Sequence, residues 1–258
     1  MHALVKYVCS AAVATALSVS GAVMAQTNDY SLQGIEARVS AEAKAQSALP
    51  QRMQYLIRIS ALTALGANQL LRQDITQALD AGINPNELYE AIVQGMAYSG
   101  LARAIDAATI LEDIAATRGM KVDPQQGTVT DDSRFADGLK AQQTIFGVDN
   151  INAMQQAAPQ DEHYLKVEAL SAFCFGDSYT RKVLTLKERE LLTFCYITAL
   201  GGNWPQVKAH TGGNLNMGTT REELIGAIEV MMPLIGFPKT LNALAFVGQL
   251  PPPKEAGA

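Results

Sequence analysis

Between Leu184 and Gly248 apolar residues recur every three to four positions, and threonine, glycine and proline cut the pattern into helix-length pieces. Thr185 with Glu188 three residues on forms a capping box, in which each side chain satisfies a backbone N–H that the first helical turn leaves open. Leu191, Leu192, Cys195 and Thr198–Ala199 follow at helical spacing, and Gly201–Gly202 ends the helix. Asn203–Trp204–Pro205 caps and starts a second helix, which carries His210 and stops near Gly218. Thr220 with Glu223 is a second capping box, opening a helix that ends near Gly236. Pro238 suits the first turn of a last helix, Lys239 to Val247.

An earlier stretch repeats this pattern. Residues 82–108 align without gaps onto 218–244, with identities at Gly82/Gly218, Glu87/Glu223, Leu88/Leu224, Ala91/Ala227, Ile92/Ile228, Met96/Met232, Gly100/Gly236 and Ala107/Ala243. Upstream, Thr63–Ala64–Leu65–Gly66 matches Thr198–Ala199–Leu200–Gly201. Asn84–Pro85–Asn86–Glu87 reproduces the helix start, with asparagine as the cap. No strand pattern stands out. The chain reads as all-α, with two tandem helical repeats at 50–118 and 161–250. A linker, 119–160, holds Asp123–Pro124, Gly127 and Asp131–Asp132, then a helix near Ser133 to Phe146. Residues 26–49 form an N-terminal arm, either a weakly amphipathic helix or a loose segment, and 251–258 a tail.

The beginning of the chain carries an address. His2 and Lys6 lead into an apolar, small-residue run from Tyr7 to Val23, and Val23–Met24–Ala25 fits a cleavage site. Residues 1–25 are expected to be a signal peptide directing the chain to the periplasm or outside the cell. The alternative, an uncleaved anchor, suffers from a run that is short for a spanning helix. The formal charge of −5 and the lack of any Lys/Arg run argue against nucleic acid or an anionic membrane as the main partner. Beyond Cys9 the chain has Cys174 and Cys195. Export permits a disulfide, whereas the apolar setting of Cys195 favours a free buried thiol.

Several pieces then fall in one order: Arg189–Glu190–Leu191–Leu192, Lys208–Ala209–His210, Leu215–Asn216, Gly218, Thr220, Glu222–Glu223–Leu224, Gly236–Phe237–Pro238 and Asn242–Ala243. Together they resemble the carboxymuconolactone decarboxylase family, within the alkylhydroperoxidase-D-like superfamily. Phe175 to Arg181 is similar to the lead-in of decarboxylase-like members. The resemblance implies two decarboxylase-like helical repeats in an exported member. It also implies a cofactor-free lyase that removes CO₂ from a small carboxylated unsaturated lactone or keto acid. Relatives form trimers or hexamers of single units, so a tandem chain is expected to make a homotrimer, a pseudo-hexamer of repeats.

The resemblance places His210 at the reactive position. Its helix continues through Thr211–Gly212–Gly213, and each mid-helix glycine costs roughly 1 kcal/mol relative to alanine. Such glycines point to close packing or to room for a ligand. Glu190 on the preceding helix is the candidate orienting carboxylate, and His with such a partner works as acid or base near neutral pH. Arg181 and Arg189 are candidates to hold a substrate carboxylate bidentately; the other reading of Arg189–Glu190 is a salt-bridged helix surface. Cys174, Asp177, Tyr179 and Trp204 are candidates to line the site.

Where the second copy has His210 the first has Asp74. The first copy instead has Glu90, Gln94 and Tyr98 at steps of four, hence on one helix face. Either each copy supplies half of one pocket, or Glu90 and Gln94 are a solvated face with Tyr98 packed at its end.

The thiol-peroxidase branch of the superfamily carries C-x-x-C before its histidine; here those positions are Asn203 and Gln206. That dithiol mechanism is absent from this site, which leaves an oxidoreductase using Cys174, or a non-catalytic oligomer that binds a small acid, as alternatives. No metal is expected, because no Cys/His pair has ligand spacing, and no organic cofactor. The expected partner is a small acidic molecule, with no nucleic acid and, after processing, no membrane.

Overall fold

A computed structural model describes residues 29–249 of the chain. The expected signal segment 1–25 and the tail 251–258 lie outside the described residues. All regular structure among the described residues is helical.

The first repeat runs through α1 (Leu32–Gln46), α2 (Gln51–Leu65), α3 (Asn68–Asp80), α4 (Pro85–Gln94) and α5 (Leu101–Thr117). The connecting region holds α6 (Arg134–Phe146) and α7 (Val148–Gln156). A wide π-helical segment, Tyr164–Gly176, then leads through the single turn α8 (Asp177–Tyr179) to α9 (Leu186–Leu200), α10 (Trp204–Asn216) and α11 (Arg221–Val247). Caps form where threonine and asparagine predict them. Thr185 and Thr220 both close reciprocal capping boxes, and the Asn84 side chain accepts from Asn86 N with Pro85 in the first turn. Gly236, at φ 74°, breaks α11 into two straight parts where the Gly–Phe–Pro sequence predicts a boundary. The equivalent Gly100 has φ 89° just before α5, so the same left-handed corner occurs in both repeats.

The residues expected to form an N-terminal arm make the regular helix α1, capped by Ser31 and packed on α11. The arm is thus the first helix of the first repeat.

The two repeats exchange faces. The central helices α2 and α9 pack against each other, and both are buried on all sides, over Leu56–Ala64 and Arg189–Ala199. α4 of the first repeat also packs on α9, and α11 of the second packs on α2. Leu56, Ile57, Leu62, Leu192 and Phe194 at this crossing are fully buried; each such side chain contributes about 1.5–3 kcal/mol. Tyr196 ties the repeats further. Its hydroxyl donates to the carbonyls of Ala91 (3.0 Å) and Ile92 (3.3 Å) near the end of α4. Its ring lies where a Cβ at Gly95 would stand, so residue 95 has to lack one.

The π-helical segment needs an equally close neighbour. A Cβ at Gly138 of α6 would overlap Ser171 O, and a Cβ at Gly176 would overlap Arg134 O. The glycines let two backbones touch. This contact brings Cys174, Phe175 and Tyr179 inward to meet Ile145 and Phe146 at the end of α6 in a second, smaller core.

Candidate functional site

His210 sits in the middle of α10, one helix away from Glu190 near the start of α9. Its Nδ1 lies 2.7 Å from Glu190 Oε1. Glu190 is fully buried, whereas His210 is 8% exposed and the neighbouring Tyr98 and Phe146 are partly exposed. Asn214, one turn beyond His210, donates to the carbonyls of both Glu190 (3.0 Å) and His210 (2.8 Å) and locks the crossing of α9 and α10. Gly213 permits it: a Cβ there would overlap Glu190 Oε1 and stand 2.9 Å from Ile145 and Phe146. A Cβ at Gly212 would meet nothing within 4 Å. The two glycines therefore have different reasons, close packing for the second and open space beside the first.

A chain of hydrogen bonds runs inward from Glu190. Tyr179 OH reaches Glu190 Oε2 at 2.9 Å and Thr193 Oγ1 at 2.7 Å. Tyr98 OH lies 3.0 Å from Tyr179 OH, and Cys174 Sγ donates to Tyr98 OH at 3.5 Å. A phenol has one proton, and a carboxylate is its strongest acceptor. The assignment that satisfies every group sends the Cys174 proton to Tyr98, the Tyr98 proton to Tyr179 and the Tyr179 proton to Glu190. Of the three only Tyr179 donates to Glu190 directly. His210 Nδ1–H is then the second donor to that carboxylate, and Nε2, which has no hydrogen-bond partner among the described residues, faces outward. Burial drives the acidities of these donors the same way. It pushes the Tyr98 and Tyr179 phenols well up and the Cys174 thiol to about 12, so all three stay protonated at neutral pH.

The network continues into the first repeat. Gln94 Nε2 donates to Thr193 Oγ1 (3.0 Å), and Gln94 Oε1 accepts from Arg189 Nη1 (3.1 Å). Arg189 Nη2 donates to Glu90 Oε2 (2.8 Å) and to the carbonyls of Arg181 and Lys182. Arg181 grips the same carboxylate through Nε (3.0 Å) and Nη2 (2.8 Å) and reaches Pro124 O. Arg189 and Glu90 are both fully buried. Burial lowers the pKa of Arg189, which Glu90 opposes. Val183 next door adopts φ 75°, and its neighbours close a tight turn, Leu184 N to Lys182 O at 3.0 Å. A β-branched residue pays about 1–3 kcal/mol for that backbone; the turn aims two carbonyls at Arg189.

The expected site residues thus separate into three groups. His210, Glu190, Tyr179, Tyr98 and Cys174 come together, with Tyr98 at 5.9 Å and edge-on to the imidazole. Gln94, Arg189, Glu90 and Arg181 lie behind them. Glu90 and Gln94 are fully buried, so the solvated-face reading of α4 does not hold. The two arginines are turned toward Glu90 rather than His210: Arg181 holds Glu90 and Pro124 O, and Arg189 holds Glu90, Gln94 and the carbonyls of Arg181 and Lys182, with its Nε left unpartnered. Asp177 and Trp204 lie elsewhere. Asp177 pairs with Arg134 at the start of α6, and Trp204 packs on the main core. Neither cysteine is in a disulfide, and Cys195 lies deep in the main core.

Three contributors were not visible in the sequence. Phe146 packs edge-on against His210 at 5.2 Å, Phe175 stacks on Tyr179 at 4.8 Å, and Thr193 joins Tyr179 to Gln94. Thr193 was the most accessible, being three residues after Glu190 and so on its face of α9. Two clefts open away from the histidine. One of about 400 Å³ between α6 and the π-helical segment is lined by Phe135, Tyr164 and Phe173, and one of about 480 Å³ between α1 and α3 by Leu32, Glu36 and Gln73. Cleft size is a poor guide here, since neither touches the buried polar network. Among the described residues no group of three or more His, Cys, Asp or Glu is placed to hold a metal ion.

Comparison with curated proteins gives no match. The family profile described as carboxymuconolactone decarboxylase family matches twice, over residues 33–113 and 167–249, the first match taking in α1 and the second the π-helical segment. With both repeats matched across most of its length, the chain belongs to the carboxymuconolactone decarboxylase family.

Proposed function

We propose that this chain is a cofactor-independent acid–base enzyme whose reactive pair is His210 and Glu190, moving a proton to or from a carbon next to a carbonyl. The observation that carries this reading is the 2.7 Å contact from His210 Nδ1 to a buried carboxylate whose other oxygen Tyr179 holds. A carboxylate on Nδ1 fixes the imidazole tautomer and offsets the charge that forms when Nε2 takes a proton. In the decarboxylase form that the family's description names, the bond to the carboxylate carbon breaks and CO₂ leaves. The electron pair left behind spreads into the unsaturated carbonyl, and His210 Nε2 delivers the proton that quenches it on carbon. Water returns that proton.

The thiol-peroxidase alternative needs a thiolate. Cys174 is held protonated by burial and Cys195 is buried in apolar surroundings, so neither offers one. The test is deuterium uptake from D₂O into unsaturated lactones, followed by NMR with wild type, His210→Ala and the double variant Cys174→Ser, Cys195→Ser. The double variant is expected to exchange nearly as wild type and His210→Ala to be 10²–10⁴-fold slower. Exchange that survives in His210→Ala refutes the reading.

We also propose that the chain works outside the cytoplasm, on the strength of residues 1–25, and as a homotrimer. Leu101 and Ile105 on α5 and the equivalent Phe237 and Leu241 on α11 are all exposed, as a contact face repeated in both halves requires. Light scattering at micromolar concentration is expected to give three chains; a monomer rejects it.

A further inference from the structure

We infer that Gln94, acting through Thr193, is a positioning residue for the reactive pair: it turns the Tyr179 proton onto Glu190 and so holds His210 in the tautomer that leaves Nε2 free. This rests on His210 and Glu190 being the reactive pair.

The direction of a buried line of hydrogen bonds is set by the member that has no choice. Here that member is Arg189, whose guanidinium can only donate. Its Nη1 lies 3.1 Å from the Gln94 side chain, so Gln94 gives Arg189 its oxygen and turns its amide nitrogen the other way. That nitrogen donates to Thr193 Oγ1 at 3.0 Å. The hydroxyl of Thr211 turns back onto its own helix, to Val207 O. Thr193 makes no such bond among the described residues. Its remaining neighbour is Tyr179 OH at 2.7 Å, and its proton goes there. Tyr98 OH meets the same phenol oxygen at 3.0 Å. With both of these donating to it, Tyr179 has one acceptor left for its single proton, Glu190 Oε2 at 2.9 Å.

Glu190 thus receives Tyr179 on one oxygen and His210 Nδ1–H, at 2.7 Å, on the other. Were the Tyr179 proton turned onto Thr193, Oε2 would be a buried carboxylate oxygen without a donor, which is costly. The carboxylate would then draw the Nδ1 proton to itself, and the neutral imidazole would carry its remaining proton on Nε2, where it cannot accept another. Packing does not demand this line. Gln94 is fully buried, and the matching position of the second repeat, Val230, is buried as well with no polar atom at all. A buried amide costs free energy unless it is bonded, so its presence on the His210 side alone fits a role in orienting the site.

Nitrogen NMR of the full chain, labelled on its histidines and free of substrate, reads the tautomer directly at a pH where the ring is neutral. The His210 signals are assigned by their loss in His210→Gln. Wild type is expected to favour Nδ1–H over Nε2–H by about tenfold, the ratio that one hydrogen bond to a charged group supports. Tyr179→Phe removes the donor and should make Nε2–H the major form. Gln94→Glu still accepts from Arg189 but takes a proton from Thr193 instead of giving one, and should shift the ring the same way. Gln94→Met, which removes the amide without adding charge, should do so too. Combining Gln94→Glu with Tyr179→Phe should add nothing to Tyr179→Phe alone, since Gln94 works through that hydroxyl. A wild-type tautomer in Gln94→Met, or in Gln94→Glu, overturns the inference, and so does an additive double variant, which means that the new charge acts directly. Deuterium uptake into β-angelica lactone, an unsaturated lactone, keeps the two claims apart. Exchange lost in His210→Ala with the tautomer unmoved in the Gln94 variants removes the positioning role and leaves the acid–base reading. A moved tautomer with exchange that survives His210→Ala does the reverse.

Discussion

The two repeats meet the same packing problem with opposite chemistry. In the second, α10 offers His210 to Glu190 on α9. In the first, α3 offers Asp74 at the matching position, and α2 answers with Arg58. Arg58 Nε bonds Asp74 at 2.5 Å, Nη2 bonds Glu36 at 2.9 Å and Nη1 bonds Ser40 at 2.9 Å. Each of its three nitrogens is hydrogen-bonded, and the cluster holds no histidine. The second repeat keeps an imidazole nitrogen free and pointing outward. The helices opposite follow suit. α4 gives the His210 side Glu90 and Gln94, and the turn after its end at Gln94 gives Tyr98, so the three do not share one helix face as their spacing predicts, whereas α11 gives the Asp74 side Gly226, Val230 and Leu234. A duplicated fold has kept one side as a closed ion network and built the other as a candidate reactive site with contributions from both copies.

The comparison breaks most sharply at the matched pair His210 and Asp74. His210→Ala should lower turnover by 10²–10⁴-fold with helix content unchanged by circular dichroism. Asp74→Ala should do the opposite. Removing one partner of a buried ion pair costs about 3–5 kcal/mol, read as a lower denaturation midpoint, while activity per folded molecule stays close to wild type. Glu90→Gln, which strips the carboxylate from two arginines at once, should destabilise by a similar amount. If denaturant melts show Glu90→Gln as stable as wild type, the buried pair is not what joins the repeats.

The adjacent glycines sharpen the site's boundary. Gly212→Ala should stabilise α10 by about 1 kcal/mol. Gly213→Ala should destabilise by about 1–3 kcal/mol through overpacking and slow turnover by pushing Glu190 away from His210. Equal effects at the two positions would show that the packing beneath His210 is looser than described.

Acid gives the smallest effect. Burial raises the pKa of both Glu36 and Glu188, but hydrogen bonds outweigh it: Ser40 and Arg58 hold Glu36 low, and Thr185 and Arg52 hold Glu188 low. A depressed carboxylate contributes stability above its unfolded value, near 4.5 here, and loses it as pH falls through the folded one. Stability should therefore decline below about pH 4.5, less steeply in Glu36→Gln. A decline that begins well above that value would point to other groups.

Much of this was legible in the chain. Threonine–glutamate capping boxes, left-handed glycines and the matched segments 82–108 and 218–244 fix helix starts, corners and duplication by local chemistry, which a sequence states directly. The His210–Glu190 pair was legible because both lie on well-signalled helices. The direction of the arginines was not. Arg189 and Glu190 are neighbours in sequence, so they leave α9 on different faces, and no local rule says that Arg189 and Arg181 share a carboxylate on α4. The π-helical segment was equally opaque. Its width depends on glycine contacts between Gly138 and Ser171 and between Gly176 and Arg134, which only the folded chain brings together.

The central claim is that one chain holds one reactive centre, in the second repeat. Deuterium uptake into β-angelica lactone, measured side by side for wild type, His210→Ala and Asp74→Asn and divided by the folded fraction of each, tests it most directly. The account predicts wild-type exchange in Asp74→Asn and a loss of at least a hundredfold in His210→Ala. Exchange that disappears in Asp74→Asn but persists in His210→Ala would contradict it.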